Sequence, residues 1–106
     1  VCGRNRKRSP TAEQIFSERE NCRVSSAGLA PDAEEIVSLE IIEWADIIFV
    51  MEKKQRTKLT QNFSAHLQNK RVICLDIPDN YEFMQPELIE LLVRKVEPFL
   101  LSSLKK

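Results

Sequence analysis

Two short runs are apolar along almost their whole length: residues 46–51 (DIIFVM) and 71–76 (RVICLD). Neither alternates polar with apolar residues, as a strand with one wet face does. A run of this kind reads as a strand covered on both sides. Parallel strands are joined by crossovers, so helices are required on the faces of their sheet. The flanking segments supply them. Residues 9–20 place Ala12, Ile15 and Phe16 on one helical face, with Ser9 as cap and Pro10 in the first turn. A helix is expected over residues 31–44, with Ile36, Leu39 and Ile42 facing inward, and a polar helix over 52–61. A last amphipathic helix spans 86–104, with Leu88, Leu92, Val96 and Phe99 in register and a kink at Pro98. Residues 22–26 are a short strand candidate. Val1 and Cys2 read as the C-terminal end of a first strand, truncated at the N-terminus. Trp44 and Phe49 are assigned to the core. The expected fold is α/β: a three-layer sandwich with a four-stranded parallel sheet and helices on both faces, in one domain over residues 1–106.

Composition narrows the function. Lys and Arg number 16 and so do Asp and Glu, so the net charge is zero. No global field points to nucleic acid or a membrane surface. The three cysteines, Cys2, Cys22 and Cys74, have neither disulfide-framework nor metal spacing, and His66 is the lone histidine. A metal site is not expected, and reduced thiols fit a cytoplasmic protein. No apolar run has the length of a transmembrane helix.

In an open parallel sheet, ligands sit outside the carboxyl ends of the strands. Cys2 is expected at that edge, at the head of residues 2–9, CGRNRKRS. A loop that curls into a helix N-terminus aims several backbone N–H groups at one spot, which suits a tetrahedral anion. The same field favours a thiolate at Cys2, the form that attacks phosphorus. Arg8 can fork two hydrogen bonds to phosphate oxygens. Ser9 can donate to the sulfur, and Asn5 can adopt left-handed backbone and tie the loop to its neighbours. The backbone of Gly3, Arg4, Asn5, Arg6 and Lys7 completes the binding set.

The joint pattern of strand end, C-x5-R-S-P and amphipathic helix resembles the phosphate loop of the low-molecular-weight protein tyrosine phosphatases. The blocks SSAGL (residues 25–29), WADIIFVME (44–52) and IPDNY (77–81) are similar to that family's segments and follow in the same order. The chain is also similar to a short, bacterial-type branch of the family. The resemblance implies a cysteine-dependent phosphomonoesterase that works through a cysteinyl-phosphate intermediate, without metal or cofactor. It implies Cys2 as nucleophile, Arg8 as phosphate-binding arginine, Asn5 as loop-stabilising asparagine and Ser9 as thiolate-stabilising serine.

The leaving group needs a proton, and two carboxyls follow the last strand, Asp76 and Asp79. The resemblance points to Asp79 as general acid, although Asn80 stands where the family has proline. Tyr81 matches an aromatic that can flank the substrate, and it reads equally well as a loop anchor. The chain is shorter than the family's between Leu29 and Trp44, which implies a shallower, more open cleft. Arg4, Arg6, Lys7 and Arg8 put four cations in one loop. The expected partner is a phosphorylated substrate, either a phosphotyrosine protein or a more anionic phosphate ester. Nucleic acid enters only as such an ester. Two alternatives stay open: an arsenate reductase on the same scaffold, and a phosphate-binding module without catalysis. Lys7 occupies the place of the protective second loop cysteine found in some relatives, and Cys22 and Cys74 read as packing residues.

Overall fold

The computed structural model describes residues 1–4, 6–19 and 23–104, the last four without their side chains. The helices are α1 (Arg8–Phe16), α2 (Leu39–Trp44), α3 (Lys53–Phe63) and α4 (Pro86–Leu104), with a 3₁₀ turn at Ser64–His66. The two apolar runs form β1 (Ile47–Val50) and β2 (Arg71–Cys74). They pair in parallel, with Ile47 opposite Arg71 and Val50 opposite Cys74. Among the described residues no helix is long and apolar enough to cross a membrane.

Side chains along the ladder alternate between two hydrophobic clusters, as the period of a strand requires. One cluster holds Cys2, Phe16, Met51, Leu75, Leu88, Leu92 and Val96, and Phe49 and Ile73 pack on it. The other holds Ile42, Ile48, Val50 and Leu59, with Val72 and Cys74 against it. Thus α1 and α4 serve the first cluster, and α2 and α3 the second. The apolar runs are apolar throughout because both of their faces are covered.

Continuous pairing involves two strands rather than the four expected. Cys2 joins Gly28, and Gly28 joins Ile36, as isolated parallel bridges. The bridge from Cys2 reaches Gly28, and residues 23–27 lie outside any ladder. Those residues are irregular, and Cys22 and the start of that strand candidate lie outside the described residues.

The helix expected over 31–44 is corrected to Leu39–Trp44. Gly28 donates to the Glu35 carbonyl (2.7 Å) and accepts from the Val37 amide (2.9 Å). Those peptide groups are committed to an extended pairing and are not available to a helix. The helix begins where Ser38 accepts from the Ile41 amide. Ile36 and Leu39 are consequently exposed, as is Trp44 at the end of α2, so none is the core residue its apolar character suggests, whereas Ile42 is buried. The first helix ends at Phe16, because the residues after it (Ser17, Glu18 and Arg19) offer no apolar surface to bury. Its cap is Lys7, not Ser9, whose side chain is engaged elsewhere. α3 starts from a capping box between Glu52 and Gln55 and runs on to Phe63, which packs on the second cluster. α4 has the expected bounds and continues through Pro98.

Leu92 on α4 is fully buried in the first cluster. Leu92→Ala is expected to cost about 2–5 kcal/mol in chemical unfolding. Ile36→Ala, at a position that helical periodicity assigns to the core, should cost less than about 1 kcal/mol.

Candidate active site

The site is built where α1 begins. Cys2 is 3% exposed, and its Sγ lies 2.9 Å from Ser9 Oγ, with either atom able to donate. Two strand-like hydrogen bonds fix its backbone: Cys2 N–H donates to Ala27 O (3.2 Å), and Leu29 N–H donates to Cys2 O (3.1 Å). The sulfur is thereby held at the end of the sheet and against the first turn of a nine-residue helix. Among the described residues, no backbone carbonyl accepts from the amides of Gly3, Arg4, Arg6 or Lys7. Those donors, with the first-turn amides of α1, are the raw material of an anion nest. A side chain added at Gly3 would meet nothing within 4 Å, so the loop's mouth is open there. Asn5 lies outside the described residues.

Arg8 is the buried cation of the site, 4% exposed. Its Nη1 donates to Glu52 Oε1 at 2.6 Å and to the Ile77 carbonyl at 2.8 Å. Its Nε lies 3.7 Å from Asp79 Oδ1. The guanidinium thus gathers the cap of α3, the loop after β2 and the candidate acid around the first residue of α1. Of the two candidate acids, the structure brings Asp79 to Arg8. Asp76 instead accepts from Cys74 Sγ at 3.4 Å and takes a left-handed backbone conformation, φ 55°. Tyr81 is half-buried against the first hydrophobic cluster.

The remaining loop cations are individually partnered. Arg4 pairs with Asp32 and Arg6 with Glu34, both at 3.6 Å, and Lys7 pairs with Glu82 at 3.2 Å. All three pairs are exposed, so each contributes little to stability. Their electrostatic effect is nevertheless definite: the positive charge expected to focus on the loop is offset by carboxylates from two other segments.

Two residues bear on the site that the sequence reading gave no role there. Thr11 is fully buried; its Oγ1 donates to the Lys7 carbonyl (2.6 Å) and accepts from the Met84 amide (2.9 Å). One hydroxyl thus ties the loop at residues 2–9 to the segment that carries Asp79 and Tyr81. Glu52 serves both as α3 cap and as Arg8's partner, and Gln55 Oε1 holds the Met51 and Glu52 amides at 3.0 Å. The capping signal E-x-x-Q at 52–55 is legible in the sequence; the second use of Glu52 is not. No family model, curated protein or solved structure matches the chain.

Thr11→Val keeps the shape and removes both bonds, so urea unfolding should show a loss of about 1–3 kcal/mol. Glu52→Gln removes the nearer counter-charge of a buried guanidinium and leaves it the more distant Asp79. The expected loss is also about 1–3 kcal/mol, below that of a fully buried pair because Glu52 is partly exposed.

Proposed function

We propose that the chain is a phosphomonoesterase of the protein tyrosine phosphatase type, acting through a cysteinyl-phosphate intermediate. The observation that carries this reading is the convergence of Cys2, Ser9, Arg8 and Asp79 at the N-terminus of α1, with Cys2 Sγ 2.9 Å from Ser9 Oγ and Asp79 beside Arg8. The Cys2 thiolate attacks phosphorus, an S–P bond forms, and the bond to the leaving oxygen breaks. Asp79 gives that oxygen its proton. Asp79 then takes a proton from water as the water attacks phosphorus, and the S–P bond breaks to release inorganic phosphate and the thiolate. Ser9 stabilises the departing sulfur. The loop amides and the Nε and Nη2 side of Arg8 hold the non-bridging oxygens as charge spreads over them. The helix N-terminus favours negative charge on both sulfur and phosphate.

The same reading extends the two-stranded sheet to four parallel strands. Residues 1–2 add beside β1 and residues 23–28 beside them, in a three-layer sandwich like that of the low-molecular-weight phosphatases. A phosphorylated protein is the proposed partner and the cytoplasm the proposed setting, where the thiol stays reduced. Arsenate reduction needs a resolving thiol near Cys2. Cys74 packs on the opposite hydrophobic cluster from the one that holds Cys2, and so lends that alternative no support.

The test is hydrolysis of an aryl phosphate. Cys2→Ser should fall to background, and Asp79→Asn should lose about 10²–10⁴ in rate, while Asp76→Asn stays within about twofold of the parent. Activity retained by Cys2→Ser sinks the mechanism. Phosphate binding without any turnover in the parent chain reduces the protein to an anion-binding module.

A further inference from the structure

Two segments beside the loop at residues 2–9 are fastened by their backbones. One is the turn at residues 30–34. Ala30 N–H donates to Gly3 O at 2.8 Å, and Glu34 N–H donates to Arg4 O at 3.0 Å. The turn closes on itself where Ala33 N–H donates to Ala30 O at 3.0 Å. The other segment is 82–85. Gln85 Oε1 accepts from the Glu82 amide at 2.9 Å, and Glu82 O accepts from the Gln85 amide at 3.1 Å. Met84 N–H donates to Thr11 Oγ1 on α1 at 2.9 Å. Bonds of this kind fix where a side chain starts, whichever rotamer it takes. Both segments deliver carboxylates to the loop. Asp32 lies 3.6 Å from Arg4 Nε and Glu34 3.6 Å from Arg6 Nε, while Glu82 lies 3.2 Å from Lys7 Nζ. Every loop cation ahead of Arg8 thus has a carboxylate of its own.

We propose that Asp32, Glu34 and Glu82 determine specificity: they reserve the site for phosphate esters with no second anionic group beside the phosphate. This rests on the phosphatase reading for the identity of the anion site and names the substrate class that the site accepts. As exposed pairs the three contribute little to stability. Selection is a separate quantity, set by what an incoming anion meets. A lone phosphate at the head of α1 is held by the loop amides and the buried Arg8. A second anionic group extends outward to cations that are already neutralised, and to bind them it must displace a carboxylate. The displaced carboxylate cannot leave, because residues 30–34 and 82–85 stay tied to the loop and to α1. Its charge remains closer to the incoming anion than the screening length of physiological salt, and repels it. Juxtaposed like charges are how a site rejects the wrong partner. Without the three carboxylates the same loop would present Arg4, Arg6 and Lys7 unopposed and draw polyanions in.

The test compares two probe anions, inorganic phosphate and tripolyphosphate, by calorimetric titration of the whole chain. The variant is Asp32→Asn/Glu34→Gln/Glu82→Gln, three exposed positions whose backbone ties remain. In the parent, tripolyphosphate should bind within about threefold of phosphate at low salt. In the variant it should gain about tenfold, phosphate should gain less than about threefold, and the difference should shrink in about 0.5 M salt. Glu82→Gln alone keeps the comparison open if the triple variant folds poorly, with a gain of about twofold for tripolyphosphate only. Equal gains for the two anions overturn the proposal. So does a parent that prefers tripolyphosphate by more than about tenfold, or one that binds neither anion. Turnover of an aryl phosphate is measured alongside. Turnover with equal gains means that the specificity proposal fails alone; unequal gains without turnover mean that the catalytic reading fails alone.

Discussion

The buried guanidinium of Arg8 is the constraint on which the site depends. It belongs to the first residue of α1, yet its two strong bonds go to the cap of α3 and to the carbonyl of Ile77 after β2. Three segments far apart in sequence are therefore fixed to one planar group. A buried ion pair is a weak source of net stability, because desolvation consumes most of the Coulombic gain. Its value here is geometric. Arginine presents donors in a rigid fork, so satisfying Nη1 also sets the direction of Nε and Nη2. A lysine in the same place would hold its charge but not that orientation. In the proposed chemistry, the bonds to Glu52 and Ile77 aim the rest of the guanidinium.

The charge of the loop is the second constraint. Four cations in a short segment suggest a strong local field on a neutral protein. The fold places Asp32 and Glu34 beside Arg4 and Arg6, and Glu82 beside Lys7. These carboxylates lie at the rim, while Arg8 is enclosed. A single phosphate at the loop therefore meets the backbone amides and Arg8, and further negative groups at the rim must displace carboxylates first. In the proposed chemistry, that arrangement would favour an ester with one phosphate over a polyanion, with screening by salt reducing the difference.

What was legible in the sequence is what depends on local pattern. The runs at 46–51 and 71–76 announce doubly covered strands, and α4 could be bounded because Pro86 opens it and its apolar register persists. The partners of Cys2 and Arg8 are less local. Ser9 is seven residues from Cys2, within reach of a motif, and its hydroxyl does meet the sulfur. Glu52's bond to Arg8 and Thr11's bond to Met84 carry no signal, because these contacts span 44 and 73 residues. The helix expected from residue 31 gives way for a different reason. Ile36 and Leu39 have helical spacing, but Gly28, seven and nine residues before its partners, pairs with Glu35 and Val37 and claims the same backbone. Tertiary hydrogen bonding overrides periodicity wherever a peptide group can serve only one of the two.

The remaining misplacements share one place. Trp44 is half-exposed and residues 23–27 are irregular, and both line a cleft beside Val1. Cys2 gets its place from bonds to Ala27 and Leu29, and Val1 from bonds to Phe49 and Met51. The sulfur is thus positioned by these four backbone bonds and one helix turn. Order in the sheet and precision at Cys2 are consequences of the same pairing.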